Sequence, residues 1–261
     1  MRRGFDGLII WAHTHPKKAV LLAGFCLPLA FAPFFLLPIF YLAYGVFFLL
    51  WGRADSFKTA LALGWLFGVG QFFIGLIWMG EAFFVEAERF LWALPFAITL
   101  LPAGLALFPA LAAGLAFLGR RHFALTGVAA ALLVCLCLVL SAYLRSTILT
   151  GLPWNLPAMG WASWLYLAQG VAFIGVHGLG LLALVSVALV TKAGRPRIVG
   201  LALPVCALLL SVFQLHMRPT PPATDTLLIV VQPNIAQRDK WQPEKRDAHI
   251  DKTFRLTRMA M

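Results

Sequence analysis

Charge is what this sequence has least of. Of 261 residues only 12% are charged and 61% are hydrophobic, against about 25% charged and roughly 45–50% apolar in an ordinary soluble domain. Acids are the scarcer sign, with ten Asp and Glu against 21 Lys and Arg. None of the ten lies inside a long apolar run, and Glu81 comes nearest, at the end of one. A proton- or ion-coupled transporter ordinarily carries ionisable groups at membrane depth, so that class has little support. Cysteine is equally thin. Cys26, Cys135, Cys137 and Cys206 all fall within apolar runs, and the two residues of Cys135-x-Cys137 point to different faces of a helix. Neither a disulfide framework nor a metal site is expected, since both need closer convergence. No cofactor is implied.

What the chain has instead is long uncharged stretches: residues 19–51, 59–80, 90–118, 123–144, 146–191 and 198–215. A bilayer core asks for about 20 apolar residues per helical span, and the mean hydropathy of +0.87 fits a chain solvated by lipid. The first stretch is too long for one helix. It is interrupted by Pro33-Phe-Phe-Leu-Leu-Pro38, and proline disfavours helix at the residue before it. A tight turn there gives two short helices, the first extending back past Lys18. In the 146–191 stretch the helical part is expected from near Leu165. The expected fold is an all-α polytopic membrane bundle of seven transmembrane helices.

The basic residues test that count independently. Cytoplasmic loops carry the excess of Lys and Arg. One alternating set of segments holds Arg2, Arg3, Lys17, Lys18, Arg53, Lys58, Arg120, Arg121, Lys192, Arg195 and Arg197. The other set, before the C-terminal tail, holds only Arg89 and Arg145, beside Glu81, Glu86 and Glu88. Eleven against two places the N-terminus in the cytoplasm, and seven crossings then put the tail outside. The same distribution disposes of nucleic acid as a partner, despite a net charge of +11. Eleven bases follow topology, where they face anionic lipid, and the eight in the tail are interspersed with five acids. The first apolar stretch is not expected to be a cleaved signal peptide: Pro28 and large residues interrupt it, and no small-x-small site follows. Ala23-Gly-Phe-Cys26 is a poor lipid-attachment site because Phe25 is bulky.

Inside the spans, Gly64-x-x-x-Gly68 with Gly70 and Gly75 gives the third helix a small-residue face for close packing. Gly170, Gly175, Gly178 and Gly180 are expected to do the same for the sixth. Gln71 and His177 are polar groups at membrane depth, read either as functional groups or as bridges between helices. Outside the spans two segments stand out. Thr150-Gly-Leu-Pro-Trp-Asn-Leu-Pro-Ala-Met-Gly-Trp161 is a non-helical outer loop, with Trp154, Trp161 and Trp164 suited to the headgroup level. Residues 218–225 form a Pro/Thr-rich linker, and a new texture follows. Residues 226–232 (Thr-Leu-Leu-Ile-Val-Val-Gln) read as a buried strand, residues 233–243 as a loop and residues 244–261 as an amphipathic helix. Strand, loop and helix are the opening of an α/β domain, so the chain divides into a membrane domain at 1–217, a linker at 218–225 and the start of an outer domain at 226–261.

The Leu-Pro-Trp-Asn-Leu-Pro loop, the Gly64-Trp-Leu-Phe-Gly68 stretch of the third helix and Val231-Gln-Pro-Asn-Ile-Ala-Gln-Arg-Asp-Lys-Trp241 together resemble the apolipoprotein N-acyltransferases, over essentially the whole chain. The resemblance implies a membrane bundle in the bacterial inner membrane carrying a periplasmic nitrilase-like domain, of which residues 226–261 are the start. It implies transfer of an acyl chain from a phospholipid donor to the N-terminal amine of a diacylglyceryl apolipoprotein, through a cysteine thioester supported by a glutamate base and a lysine. Those three residues belong to parts of the family that follow the strand, loop and helix seen here. No catalytic residue is therefore expected within this chain, which reads as the N-terminal piece of a longer protein, expected to be a monomer. Trp241, in the Lys-Trp pair, is the one residue the resemblance places at the substrate site. The other readings are a multi-pass transporter, which has no need of the Val-Gln-Pro-Asn…Lys-Trp tail, and a noncatalytic lipid-binding membrane module.

Overall fold

The structure is a computed structural model. It describes residues 7, 10–162, 164–217, 228–236, 239, 240 and 242–260. Five segments are long and apolar enough to cross a membrane: Phe57–Gly75, Ala87–His122, Gly127–Thr147, Val171–Val190 and Arg195–Met217. The chain divides into two compact units, Met1–Ile77 with Ile98–Met217, and Trp78–Ala97 with Arg218–Met261.

The larger unit is a helical bundle. Helix α1 (Pro16–Cys26) runs into a 3₁₀ turn, Leu27–Ala30, and α2 (Leu37–Trp51) follows. The expected break at Pro33–Pro38 is present: the amides of Phe34 and Phe35 both turn back onto the Phe31 carbonyl, and Pro38 sits in the first turn of α2, where its missing N–H costs nothing. Neither α1, at 11 residues, nor α2, at 15, reaches the length of a full span. Helix α3 (Phe57–Gly75) starts on Ser56, whose hydroxyl accepts the Thr59 amide. The Thr59 hydroxyl donates to Asp55 (2.9 Å), and this bond, with local amides, holds the exposed Asp55 carboxyl below its ordinary range.

The fourth apolar stretch is not one smooth helix. It enters through single turns at Ala87–Phe90 and Leu91–Ala93, becomes α4 (Leu94–Leu105), breaks at Ala106 and resumes as α5 (Leu107–His122). Pro102 and Pro109 flank the break and each withholds an amide donor. The Ala103 carbonyl, next to Pro102, accepts the Trp65 indole N–H of α3 (3.1 Å). Then come α6 (Gly127–Thr147), α7 (Val171–Val190) and α8 (Arg195–Met217). Helix α7 begins later than Leu165 because Leu165–Ala168 is a separate turn, and Gly175 (φ +67°) interrupts its first turns.

Helix α3 packs on α1 and α5, α5 on α6, α6 on α7, and α7 on α8. Small residues allow this. A Cβ on Gly64 would meet the Pro109 carbonyl and Ala110, one on Gly68 would meet Ala106, and Gly70 and Gly24 fit against each other's backbones. The sixth-helix glycines behave differently: Gly180 lies against Pro157 and Ala158, Gly175 serves the kink, and Gly178 faces only Ile174 of its own helix. Outward faces are apolar. Leu132, Leu136 and Leu140 of α6, and Ile198, Leu201, Val205 and Leu209 of α8, are all exposed. A water-soluble bundle carries polar residues there; a lipid-solvated one does not.

In the smaller unit, Trp92 donates to the Arg89 carbonyl (3.0 Å) and Arg89 lies 4.0 Å from Glu86. Residues 228–236 carry neither helix nor strand, so the strand expected at 226–232 is not formed in its described part. A strand needs a neighbour for its backbone hydrogen bonds, and no strand occurs among the described residues. The expected terminal helix is present as α9 (Arg246–Ala260), after a 3₁₀ turn at Pro243–Lys245. Lys245 pairs with Asp239 (2.7 Å). Trp241 and the linker at 218–225 lie outside the described residues.

Candidate functional site beneath the Pro-Trp-Asn loop

The loop that follows α6 is fastened from both of its ends. After Thr147 the chain turns sharply, with Leu149, Thr150 and Gly151 all at positive φ. Gly151 is needed there, because any Cβ would run into the Ser146 carbonyl. The turn brings Leu152 back over α6: its amide donates to the Arg145 carbonyl (2.9 Å), and Arg145 Nη1 donates to the Leu152 carbonyl. The Arg145 side chain is only 4% exposed, and its guanidinium lies 4.9 Å from the centre of the Phe72 ring on α3, within cation–π range.

Three residues on, Asn155 is 7% exposed and left-handed (φ 53°), a conformation asparagine tolerates better than most residues. Its backbone carbonyl accepts Gln71 Nε2 of α3 (2.9 Å). Its side-chain amide lies against Gly75, where a Cβ would overlap Nδ2. Asn155 Nδ2 is buried without a hydrogen-bond acceptor. A cavity of about 30 Å³, lined by Tyr44, Gln71, Phe72, Ser141, Arg145 and Asn155, adjoins it. Beyond it Leu156, Ala158 and Trp161 are buried, with Gly160 pressed on Phe40, whereas Trp154 is 47% exposed. The loop is thus anchored by Arg145, Gln71 and Gly75 and presents Trp154 outward.

Of the two polar residues singled out within the spans, Gln71 belongs to this cluster and acts as a bridge to the loop. His177 does not; it stands edge-on to Tyr143 (5.3 Å between ring centres). Arg145 and Asn155 were not singled out as site residues by sequence. The available signal was that Arg145 is one of only two bases in the base-poor set of segments before the tail, and a base in such a segment calls for a local reason. Among the described residues no group of His, Cys, Asp and Glu is placed to hold a metal, and the four cysteines are free. Arg145 and Gln71 supply hydrogen-bond donors that hold and orient the loop through the carbonyls of Leu152 and Asn155.

Residues 23–189 match the sequence model of the apolipoprotein N-acyltransferase N-terminal domain. The chain is 37% identical over 240 residues to a Rhodopseudomonas palustris protein named apolipoprotein N-acyltransferase, covering 85% of this chain and 44% of that one. Like-named proteins of Allorhizobium ampelinum (35% over 213 residues; 79% and 39% covered) and Caulobacter vibrioides (36% over 239 residues; 86% and 43%) are similar. The chain therefore spans less than half the length of these relatives. With its polytopic helices and the fastened Pro-Trp-Asn loop inside the matched region, the chain belongs to the apolipoprotein N-acyltransferase family.

Proposed function

We propose that this chain is the membrane part of an acyltransferase that moves an acyl chain from a phospholipid to the N-terminal amine of a diacylglyceryl-cysteine lipoprotein. The observation that carries the reading is the family match across residues 23–189. The physical task agrees with it. Both substrates are lipids, and extracting one into water costs about 0.8 kcal/mol per methylene, so the reaction belongs at a bilayer surface beside a lipid-solvated bundle.

In this reading the chain lies in the bacterial inner membrane as a monomer with seven crossings. The short helices α1 and α2 act as a pair joined at the Phe34–Leu36 turn, with the N-terminus cytoplasmic. The eleven-to-two distribution of bases supports that sidedness. Residues 226–261 begin a periplasmic nitrilase-like domain, and Trp241 lies at the mouth of its acyl-transfer site. The transfer runs in two steps: a thiolate of that domain attacks the phospholipid ester and releases a lysophospholipid, and the lipoprotein amine then attacks the thioester. Within the chain, Arg145, Gln71 and Asn155 are positioning residues. They fix the Pro-Trp-Asn loop so that Trp154 meets the outer headgroup layer, where tryptophan is favoured.

The test is a chimera. Residues 1–261 joined to the remaining part of the Caulobacter relative are expressed in cells depleted of their own lipoprotein N-acyltransferase. Restored growth with N-acylated lipoprotein is expected. An accumulating, membrane-inserted chimera that leaves lipoproteins diacylated overturns the reading.

A further inference from the structure

A second cavity of the bundle, about 270 Å³, lies at the other end of α6 from Arg145. Arg120, Lys192, Trp51, Thr126 and Gly127 are among its walls, and among the described residues no carboxylate lines it. Arg120 is held rigidly. Its guanidinium lies 4.9 Å from the Trp51 ring centre and 4.8 Å from that of Phe117, and it donates to the carbonyls of Gly52 (3.1 Å) and Ala54. Trp51 is fixed in turn by its indole N–H on the Ala113 carbonyl (3.0 Å). All these acceptors are neutral, and among the described residues Arg120 enters no ion pair, so its charge is oriented by dipoles and rings alone. Asp55, the residue after Ala54, accepts from Thr59 instead.

Lys192, just beyond α7, brings a second cation on a flexible stem, and it enters no ion pair among the described residues. The wall between the two is the start of α6. Its N-cap Thr126 makes no side-chain capping bond, and the first-turn amides of any helix lack intrahelical acceptors. A preset guanidinium, an ammonium, a hydroxyl and a helix start line one cavity whose remaining walls are apolar.

We propose that this cavity binds a phosphate oxyanion. Phosphate suits it because two of its donors, Arg120 and Lys192, are cationic, and a cationic ligand would meet both of those like charges. The group is shared by a phospholipid headgroup and free inorganic phosphate, and the experiment separates them.

The purified chain in nonionic detergent is titrated with phosphatidylglycerol and followed by native mass spectrometry, with and without millimolar inorganic phosphate. Wild type is expected to retain one lipid that Lys192→Gln binds at least tenfold more weakly and Lys192→Arg keeps. Thr126→Val should weaken retention several-fold, which covers the case of a Lys192→Gln chain that does not fold. Retention that inorganic phosphate leaves intact identifies a headgroup; displacement by phosphate identifies the free anion. Equal retention by wild type, Lys192→Gln and Thr126→Val, with no effect of phosphate, overturns the proposal. The readout involves no acyl transfer, so it stands or falls apart from the enzymatic reading.

Discussion

Arg145 and Leu152 hold each other in both directions, the amide of Leu152 on the Arg145 carbonyl (2.9 Å) and the Arg145 guanidinium on the Leu152 carbonyl. A reciprocal pair of this kind closes a seven-residue excursion around Gly151. Because the arginine also stacks on Phe72, it ties the loop to two helices at once.

Arg145→Met should therefore free the loop without unfolding the bundle. A hydrogen bond from a charged donor contributes about 1.5–3 kcal/mol, and a loss in that range is expected. Hydrogen exchange of residues 149–157 in detergent should rise while that of α6 stays low. Arg145→Lys should not rescue it, since a point charge cannot both stack on Phe72 and reach Leu152. Unchanged exchange in the methionine variant would show that the loop is held elsewhere.

The loop's other anchor is steric. Gly75→Ala drives a methyl group into the Asn155 amide, and overpacking of this kind costs roughly 1–3 kcal/mol. The melting temperature should fall in the single variant and recover in large part in Gly75→Ala/Asn155→Ala, because the two positions share one contact. A double variant no better than the single one would mean that Gly75 matters for another reason.

Much of this arrangement was legible in the sequence, though unevenly. Uncharged runs gave the long helices, and Pro33 and Pro38 gave the turn before α2, because proline acts locally and at a known position. Gly64 and Gly68 announced a packing face by their spacing alone. The break at Ala106 was not foreseen, although Pro102 and Pro109 flank it, and the Trp65 indole on the nearby Ala103 carbonyl comes from 38 residues away. Arg145 was hidden for the same reason. Its partners are a carbonyl reached by a turn of positive-φ residues and a ring on another helix, and neither has a sequence period. The strand expected at 226–232 shows the reverse case. Its β-branched texture is real, but a strand is a property of a pair.

Sidedness is open to direct measurement. Reporter fusions after Arg121 and after Thr220 should give opposite signals, cytoplasmic for the first and periplasmic for the second. Fusions reporting the same side would remove the seven-crossing arrangement, and with it the outer placement of the Trp154 loop.

Trp241 is tested in the chimera used for the acyl-transfer assay. Trp241→Ala is expected to lower N-acylation at least tenfold at unchanged accumulation, as loss of a substrate-contacting aromatic does. A drop in accumulation instead would assign the indole to the core of the outer domain.

The chain alone, residues 1–261, should not transfer an acyl group. Covalent transfer needs a nucleophile with a base in hydrogen-bond reach. The only four thiols are in apolar helices: Cys135 is buried, Cys137 partly so, and Cys26 and Cys206 open onto the outer face of the bundle. Reactive cysteines occupy electropositive, partly exposed surroundings, and among the described residues no hydrogen bond joins any of these thiols to a histidine or lysine. The Gln71–Arg145–Asn155 cluster offers donors and no nucleophile. Insertion itself should succeed, because membrane helices satisfy their own backbone hydrogen bonds. Expressed in cells depleted of their own acyltransferase, the chain should therefore reach the membrane and leave lipoproteins diacylated. N-acylated lipoprotein appearing in those cells, and disappearing when the four cysteines are changed to serine, would place the chemistry inside the bundle after all.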